Sequence, residues 1–297
     1  MDYENRANLL DETLRRKLSA LMLISRKMQS SNRQGERRST QYGTSIEFAD
    51  YRDYVAGDDL RRLDWNIYAR TERPYIKLLE DEQDLSVHIL LDTSLSMDYP
   101  ANTDHKLTFA KQLAAGLAYL ALYRNDNLTL SPFHPQEPFG AVNGRGQIVP
   151  MLRYVHAITA GGGSTLSQRL KDYAGRARRA GMCFVISDLF SQDGYLDGVN
   201  ALVGRGFEVI VLHVLAPEEV TPALAGDVNL IDMETGQTQA VSIDGTMRDL
   251  YIQRVQTWRQ TIMRDCSKRG VIYLPVQTDT PAERVLLYDL RRLGVIR

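Results

Sequence analysis

Three short segments place oxygen-bearing side chains directly after apolar or glycine runs. Asp92-Thr93-Ser94-Leu95-Ser96 follows an apolar run over 85–91, Ser164-Thr165 follows Gly161, Gly162 and Gly163, and Ser187-Asp188 follows an apolar run over 182–186. In the first, a carboxylate and two hydroxyls alternate within a turn, so Asp92, Ser94 and Ser96 can point to one spot. In the second, glycines let the backbone approach closely and raise Ser164 and Thr165. Oxygen ligands of this kind suit a hard cation that prefers octahedral geometry and keeps some waters: Mg2+, with Mn2+ or Ca2+ as alternatives. Only Asp92 and Asp188 are carboxylates, and neutral hydroxyls fill most of the protein's share of such a shell. A bound ion would therefore keep net positive charge and an open position, suited to an acidic side chain from a protein partner.

Loops of this kind need strand ends to hold them. From about residue 84 onward, short apolar runs alternate with amphipathic stretches, the pattern of a mostly parallel sheet with helices on both faces. Strands are predicted over 85–91, 128–133, 182–186, 207–215 and 271–276. Leu107, Ala110, Ala114, Leu117 and Ala121 recur at helical spacing, and helices are also expected over 147–157 and 195–203. Leu166, Leu170, Tyr173, Ala177 and Ala180 mark a further helix, closed by Gly181. Met247, Tyr251, Val255, Trp258, Ile262 and Cys266 step along one long helix stopped by Gly270. Thr280 as N-cap, Pro281 at the first helical position and Glu283 three residues after the cap open a terminal helix. Residues 228–243 look like an inserted β-hairpin turning at Glu234-Thr235-Gly236. The expectation is one doubly wound α/β domain over 83–297. Residues 1–82 precede it as a helix, with Leu10, Leu14, Leu18, Leu21 and Met28 in a stripe that packs on the main domain, and then an extended charged segment. In such open sheets ligands bind beyond the carboxyl ends of strands, near the point where strand order reverses.

Composition narrows the function classes. The 297 residues carry Lys+Arg 36 against Asp+Glu 37, a net charge of -1, and are 43% hydrophobic. That balance gives no overall bias toward nucleic acid or membrane surfaces. Two cysteines, Cys183 and Cys266, cannot build a disulfide framework or a Cys-rich zinc site, and they are expected to be inert buried hydrophobes. The N-terminus is polar and acidic where a secretory signal needs a basic start, and the apolar runs at 87–91 and 209–215 are far short of the roughly 20 residues that cross a bilayer. The expectation is a cytoplasmic, non-membrane protein.

Asp-x-Ser-x-Ser after an apolar strand, Gly-Gly followed by a hydroxyl residue, and Ser-Asp after a later strand resemble the metal-ion-dependent adhesion site of von Willebrand factor type A domains. That resemblance implies that Asp92, Ser94, Ser96 and either Ser164 or Thr165 hold the ion, while Asp188 orders a metal-bound water. The family has Thr directly after its glycine pair, where this chain has Ser164 with Thr165 next, so both hydroxyls stay in play. Upstream, Ile46-Glu47-Phe48, Arg52-Asp53-Tyr54, Gly57-Asp58-Asp59-Leu60-Arg61, Asp64-Trp65, Ala69-Arg70 and Pro74-Tyr75-Ile76-Lys77 resemble the bacterial family called domain of unknown function 58. That second resemblance implies a partner or adaptor of a MoxR-type AAA+ ATPase in a chaperone-like role, with no established enzymatic activity.

Other readings of the same residues compete. A metal-assisted hydrolase or phosphatase could use the same ion as Lewis acid. Against it, Asp92 lacks the second carboxylate two residues on that haloacid-dehalogenase-type phosphatases use, and no Gly-x-Ser-x-Gly elbow or Gly-x-x-x-x-Gly-Lys loop appears. Asp188 could simply cap a helix. Asp58, Asp59, Arg61, Arg62, Asp64 and Arg70 form either a mutually neutralising scaffold anchored by buried Trp65 and Tyr68, or an acid/base site, or a surface for the ATPase. Arg15, Arg16, Lys17, Arg26, Lys27, Arg33, Arg37 and Arg38 are read as a solvated face or a dock for an acidic partner; the aromatics of a nucleic-acid platform are missing there. His88, His105, His134, His156 and His213 show no metal spacing, and packing is the default for them.

Overall fold

The computed structural model describes residues 9–26, 46–55, 58, 60, 63–81, 85–100, 105–133, 136–163, 165–222, 226–231, 238–243 and 245–297. The chain divides into two units, Met1–Asn32 with Leu85–Arg297, and Arg33–Asp84. The N-terminal helix thus joins the main unit, and the expected boundary at 82/83 marks only the end of the charged segment.

In the larger unit, α1 (Glu12–Ser19) is capped by Asp11, whose carboxylate accepts the Leu14 N–H at 2.6 Å. Its stripe of Leu10, Leu14 and Leu18 enters the main core as the spacing predicts; Met28 lies outside the described residues. The chain after α1 pairs with the C-terminus through Met22–Arg297 and Ile24–Val295 backbone bonds. The basic residues of this stretch are not simply solvated: Lys17 Nζ binds Glu283 at 2.6 Å and Arg26 donates to the Leu293 carbonyl at 2.7 Å. Lys27, Arg33, Arg37 and Arg38 lie outside the described residues.

The central sheet contains β3 (Ser86–Leu91), β4 (Asn127–Pro132), β5 (Phe139–Val142), β6 (Met182–Ser187), β7 (Glu208–Leu215) and β10 (Ile272–Gln277), in the order β10-β7-β6-β3-β4-β5. All neighbours run parallel except the β4–β5 pair. The antiparallel edge strand β5 was not read from the sequence, because its four residues Phe-Gly-Ala-Val are too short and too exposed to show a period. Side chains alternate across the central strands: Val87, Ile89 and Leu91 of β3, and Met182, Phe184 and Ile186 of β6, face one core, while Leu90, Cys183 and Val185 face the other. Burial on both faces is why these strands read as continuous apolar runs.

The first core is covered by α1, α3 (Lys106–Tyr123), α4 (Ile148–Ala157) and the C-terminal helical segment Ala282–Arg292; the second by α5 (Leu166–Arg176), α6 (Leu196–Gly204) and α8 (Gly245–Ser267). The short α7 (Pro217–Val220) follows β7, and β8 (Gly226–Ile231) pairs antiparallel with β9 (Thr238–Ile243), the expected hairpin; its turn lies outside the described residues. Two helix ends differ from expectation. Helix α5 stops at Arg176, with Ala177 extended, so Gly181 is not its terminator. Gly181 instead lies where a Cβ would sit 2.1 Å from the Ser86 carbonyl oxygen, a close backbone approach at the start of β6 that only glycine allows. Pro281 is extended and precedes the terminal helix, which begins at Ala282, and Glu283 spends its carboxylate on Lys17 rather than on a capping box.

In the smaller unit, β1 (Ile46–Asp53) and β2 (Tyr75–Asp81) form an antiparallel ladder with α2 (Trp65–Thr71) between them. Asp64 caps α2, accepting the Asn66 and Ile67 N–H groups at 2.9 and 3.2 Å and the Tyr51 hydroxyl at 3.0 Å. Asp58 accepts the Arg52 Nη1–H and Nη2–H groups at 2.6 and 2.7 Å. Both carboxylates are engaged inside the unit, but Asp58 pairs with Arg52, which was not among the residues expected to neutralise one another, and Asp64 serves as a helix cap; Asp59, Arg61 and Arg62 lie outside the described residues. Trp65 and Tyr68 are not buried anchors: they are 60% and 43% exposed, because α2 turns them outward in an edge-to-face pair.

Candidate metal centre

Strand order reverses between β3 and β6, so the loops leaving their carboxyl ends flank the switch point at which such sheets bind ligands. Those loops begin at Asp92 and Asp188. The Asp92 N–H continues the ladder to the Ile186 carbonyl at 2.9 Å, which fixes its side chain beside the end of β6. Asp92 Oδ1 accepts the Ser94 N–H at 2.9 Å, and Oδ2 accepts the Ser187 hydroxyl at 2.5 Å. Ser187 Oγ in turn accepts the Leu189 N–H at 2.9 Å. The Ser94 and Ser96 hydroxyls are 3.0 Å apart. The glycine loop docks against this turn through the Gly161 N–H and the Thr93 carbonyl at 2.8 Å, and Gly162 takes φ +84°, a conformation glycine adopts without strain. Asp92, Ser94, Gly161, Gly163, Thr165 and Arg169 thereby line one cleft of about 10 Å³, the room of about one water.

The electrostatics of this spot are unbalanced. Burial first, and then the Asp188 charge, push the Asp92 carboxyl up to about 6, against the opposing hydrogen bonds from Ser187 and Ser94. Asp188 is also fully buried, and both its oxygens have protein partners: Lys106 Nζ at 2.7 Å on Oδ2 and the Phe190 N–H at 3.0 Å on Oδ1. Lys106, itself fully buried, also binds Glu219 Oε1 at 2.6 Å, and Glu219 Oε2 accepts the Ala216 N–H at 2.8 Å. His213 Nε2 donates to the Asp188 carbonyl at 3.0 Å, its Nδ1 accepts the Tyr273 hydroxyl at 2.6 Å in the neutral ring, and burial holds its pKa down at about 3.

Of the six residues singled out in the sequence, Asp92, Ser94 and Thr165 meet in the cleft. Ser96 reaches it through the Ser94 hydroxyl, Asp188 stands beside Asp92 but is committed to Lys106, and Ser164 lies outside the described residues. Ser187, Lys106, Glu219 and Arg169 were missed. Ser187 could have been found as the hydroxyl ending a buried strand next to Asp188, and Arg169 as the residue one helical turn after Thr165. Lys106 gave no signal, because a lysine opening a helix normally reads as solvated. His88 and His213 are core residues as expected, packed against Tyr173 with Phe207 and against Trp258 respectively; His134 lies outside the described residues. Cys183 and Cys266 are free and buried, and burial raises both thiols, Cys266 to about 11.

The donor set suits a hard divalent cation in kind: the Asp92 carboxylate shares one cleft with Ser94 and Thr165, a charged oxygen donor beside residues with neutral ones. Among the described residues no group of three or more His, Cys, Asp or Glu side chains that could hold a metal ion gathers anywhere, this cleft included, so any cation here would rest on one carboxylate and neutral oxygens. No helix among them is long and apolar enough to cross a membrane.

Comparison with known proteins extends over both units. Uncharacterized protein Rv1480 of Mycobacterium tuberculosis (strain ATCC 25618 / H37Rv) is 28% identical over 261 residues, 86% of this chain and 82% of the relative. Uncharacterized protein Mb1516 of Mycobacterium bovis matches to the same extent. Among solved structures, conserved hypothetical protein BatB from Bacteroides thetaiotaomicron aligns with a TM-score of 0.44 and 17% identity over 71% of this chain and 98% of that one. An aerotolerance-related membrane protein from Bacteroides fragilis NCTC 9343 aligns with a TM-score of 0.44 and 17% identity over 70% and 99%. The pattern of the family described as Protein of unknown function DUF58 matches residues 50–261, taking in the charged hairpin unit, the Asp92 turn, the glycine loop and Asp188 alike, and the chain belongs to that family.

Proposed function

We propose that this chain is a non-enzymatic, divalent-cation-dependent protein interaction module, a partner or adaptor of a MoxR-type AAA+ ATPase in a chaperone-like role. The observation that carries the proposal is the convergence of Asp92, Ser94 and Thr165 on one cleft at the switch point of the sheet. Asp92, Ser94 and Thr165 hold the cation, Ser96 orients Ser94, and Ser164 is the adjacent hydroxyl of the same loop. When bound, Mg2+ supplies an electrophilic position that accepts a partner's acidic side chain. Asp92 arrives at this task buried and, among the described residues, in no ion pair, which favours any cation that can reach it. Asp188 adds negative charge beside Asp92 while Lys106 fixes its position. The resemblance of the upstream segment to its family supports the ATPase as partner.

Affinity capture from the native cell, with Mg2+ and with EDTA, tests this. The expected result is that an AAA+ ATPase co-purifies in Mg2+ and is lost in EDTA, and that Asp92→Ala and Ser94→Ala lose it in both. Capture of the ATPase unchanged by EDTA and by both variants would sink the proposal.

A further inference from the structure

Arg169 is the cation of the cleft that the metal-site pattern does not account for. It lies one turn into α5, its backbone N–H bonded to the Thr165 carbonyl at 3.0 Å, so it projects on the side of the helix that Thr165 starts. Arg169 lines the same cleft as Asp92, Ser94 and Thr165. Among the described residues its guanidinium has neither a hydrogen bond nor an ion pair. Asp92 and Arg169 thus face one small space as opposite charges without closing on each other.

A guanidinium beside a cation site weakens the site for a bare ion, since like charges repel across a partly desolvated cleft. The conflict disappears if an anion enters with the cation. A carboxylate can give one oxygen to the open position of the ion and the other to the planar fork of Arg169, which suits carboxylate geometry. Resting on the proposed cation site, we infer that Arg169 is the residue that reads the partner's acidic side chain, and that it makes cation and carboxylate bind together rather than independently. A cation site held by hydroxyls and one carboxylate then stays weakly occupied until the partner arrives.

The test uses the full chain, Mn2+ as the paramagnetic probe followed by its free-ion spectrum, and acetate as the carboxylate. In the wild type, acetate is expected to tighten Mn2+ binding roughly fivefold or more, within the usual range of coupling between sites. In Arg169→Gln, Mn2+ alone binds as tightly as in the wild type or more tightly, and the acetate enhancement falls below about twofold; Arg169→Lys keeps part of it because the charge remains and the fork is lost. An enhancement in Arg169→Gln equal to that of the wild type, or none in the wild type, overturns the inference. Asp92→Ala separates the two levels. Loss of Mn2+ binding there, with coupling intact in Arg169→Gln, defeats the role of Arg169 alone; retained Mn2+ binding in Asp92→Ala defeats the cation site and this inference with it. Arg169 is half-buried and, among the described residues, bonded to no other side chain, so an unchanged far-ultraviolet spectrum is expected in both of its variants.

Discussion

Replacing Lys106 by Met removes a buried charge while keeping most of the side-chain length. The ammonium lies between Asp188 Oδ2 at 2.7 Å and Glu219 Oε1 at 2.6 Å, with the Lys106 and Asp188 side chains fully buried and Glu219 15% exposed. Without it, Asp188 keeps only the Phe190 N–H, Glu219 keeps the Ala216 N–H, and both stay close to a third buried carboxylate, Asp92. Removing one member of a buried ion pair strands the other, at a cost of roughly 3–5 kcal/mol. Glu219 can swing toward water, and Asp188 cannot. With a urea slope of about 2–3 kcal/mol per molar, the unfolding midpoint should fall by about 1–2 M. The deficit should narrow as pH falls, because burial raises the Glu219 carboxyl and its protonation removes one of the stranded charges. Asp188→Asn in the Lys106→Met background should recover part of the loss, since an uncharged amide costs less to bury than an unpaired carboxylate. Urea unfolding followed by circular dichroism, across pH, measures all of this. A midpoint loss in Lys106→Met worth less than about 1 kcal/mol, or a double variant no better than the single, would refute the reasoning that Lys106 is the counter-charge of Asp188.

Three further outcomes follow from the same geometry. Asp92 has a folded pKa raised from 3.8 to about 6, so between those values the folded state holds more protons than the unfolded one, and the stabilising protonation is lost as pH rises through about 6. Metal-free Asp92→Asn should therefore be more stable than the wild type at neutral pH, by about 1–2 kcal/mol after allowing for one disturbed hydrogen bond, and equal to it or less stable near pH 4; thermal unfolding at both pH values checks this. A cation must displace the same proton, so Mn2+ affinity should rise with pH up to about 6 and level off above it, in an isothermal titration series. Gly181→Ala would place its Cβ 2.1 Å from the Ser86 carbonyl and should cost about 2–4 kcal/mol, read as a lowered unfolding midpoint with no change in the cation affinity of the surviving folded protein.

Much of the architecture was legible because its physical causes are local. Strands β3, β6 and β7 are buried on both faces and must be apolar throughout, and α8 shows its stripe where Val255, Trp258, Ile262 and Cys266 pack on the second core, while Met247 and Tyr251 stay exposed. The edge strand β5, the early end of α5 and the true task of Gly181 were not legible. Each depends on what the backbone meets across the sheet rather than on its own neighbours in sequence. The same division runs through the site. Asp92, Ser94 and Thr165 could be named because strand-end loops announce themselves. The commitment of Asp188 to Lys106, more than eighty positions away in the chain, could not, since nothing in the pattern of α3 marks its first residue as buried. Trp65 and Tyr68 show the reverse error: aromatic residues in a charged segment invite burial, yet both are exposed on α2, three residues apart and paired with each other.

The central claim is that a divalent cation binds at the cleft formed by Asp92, Ser94 and Thr165. Mn2+ added in the presence of acetate, with amide NMR signals followed one by one, locates the ion directly through paramagnetic broadening. The expected result is early loss of the amides of Ser94, Gly161, Gly163 and Thr165, with no such loss in Asp92→Ala. Broadening centred elsewhere, or the same broadening in Asp92→Ala, would contradict it.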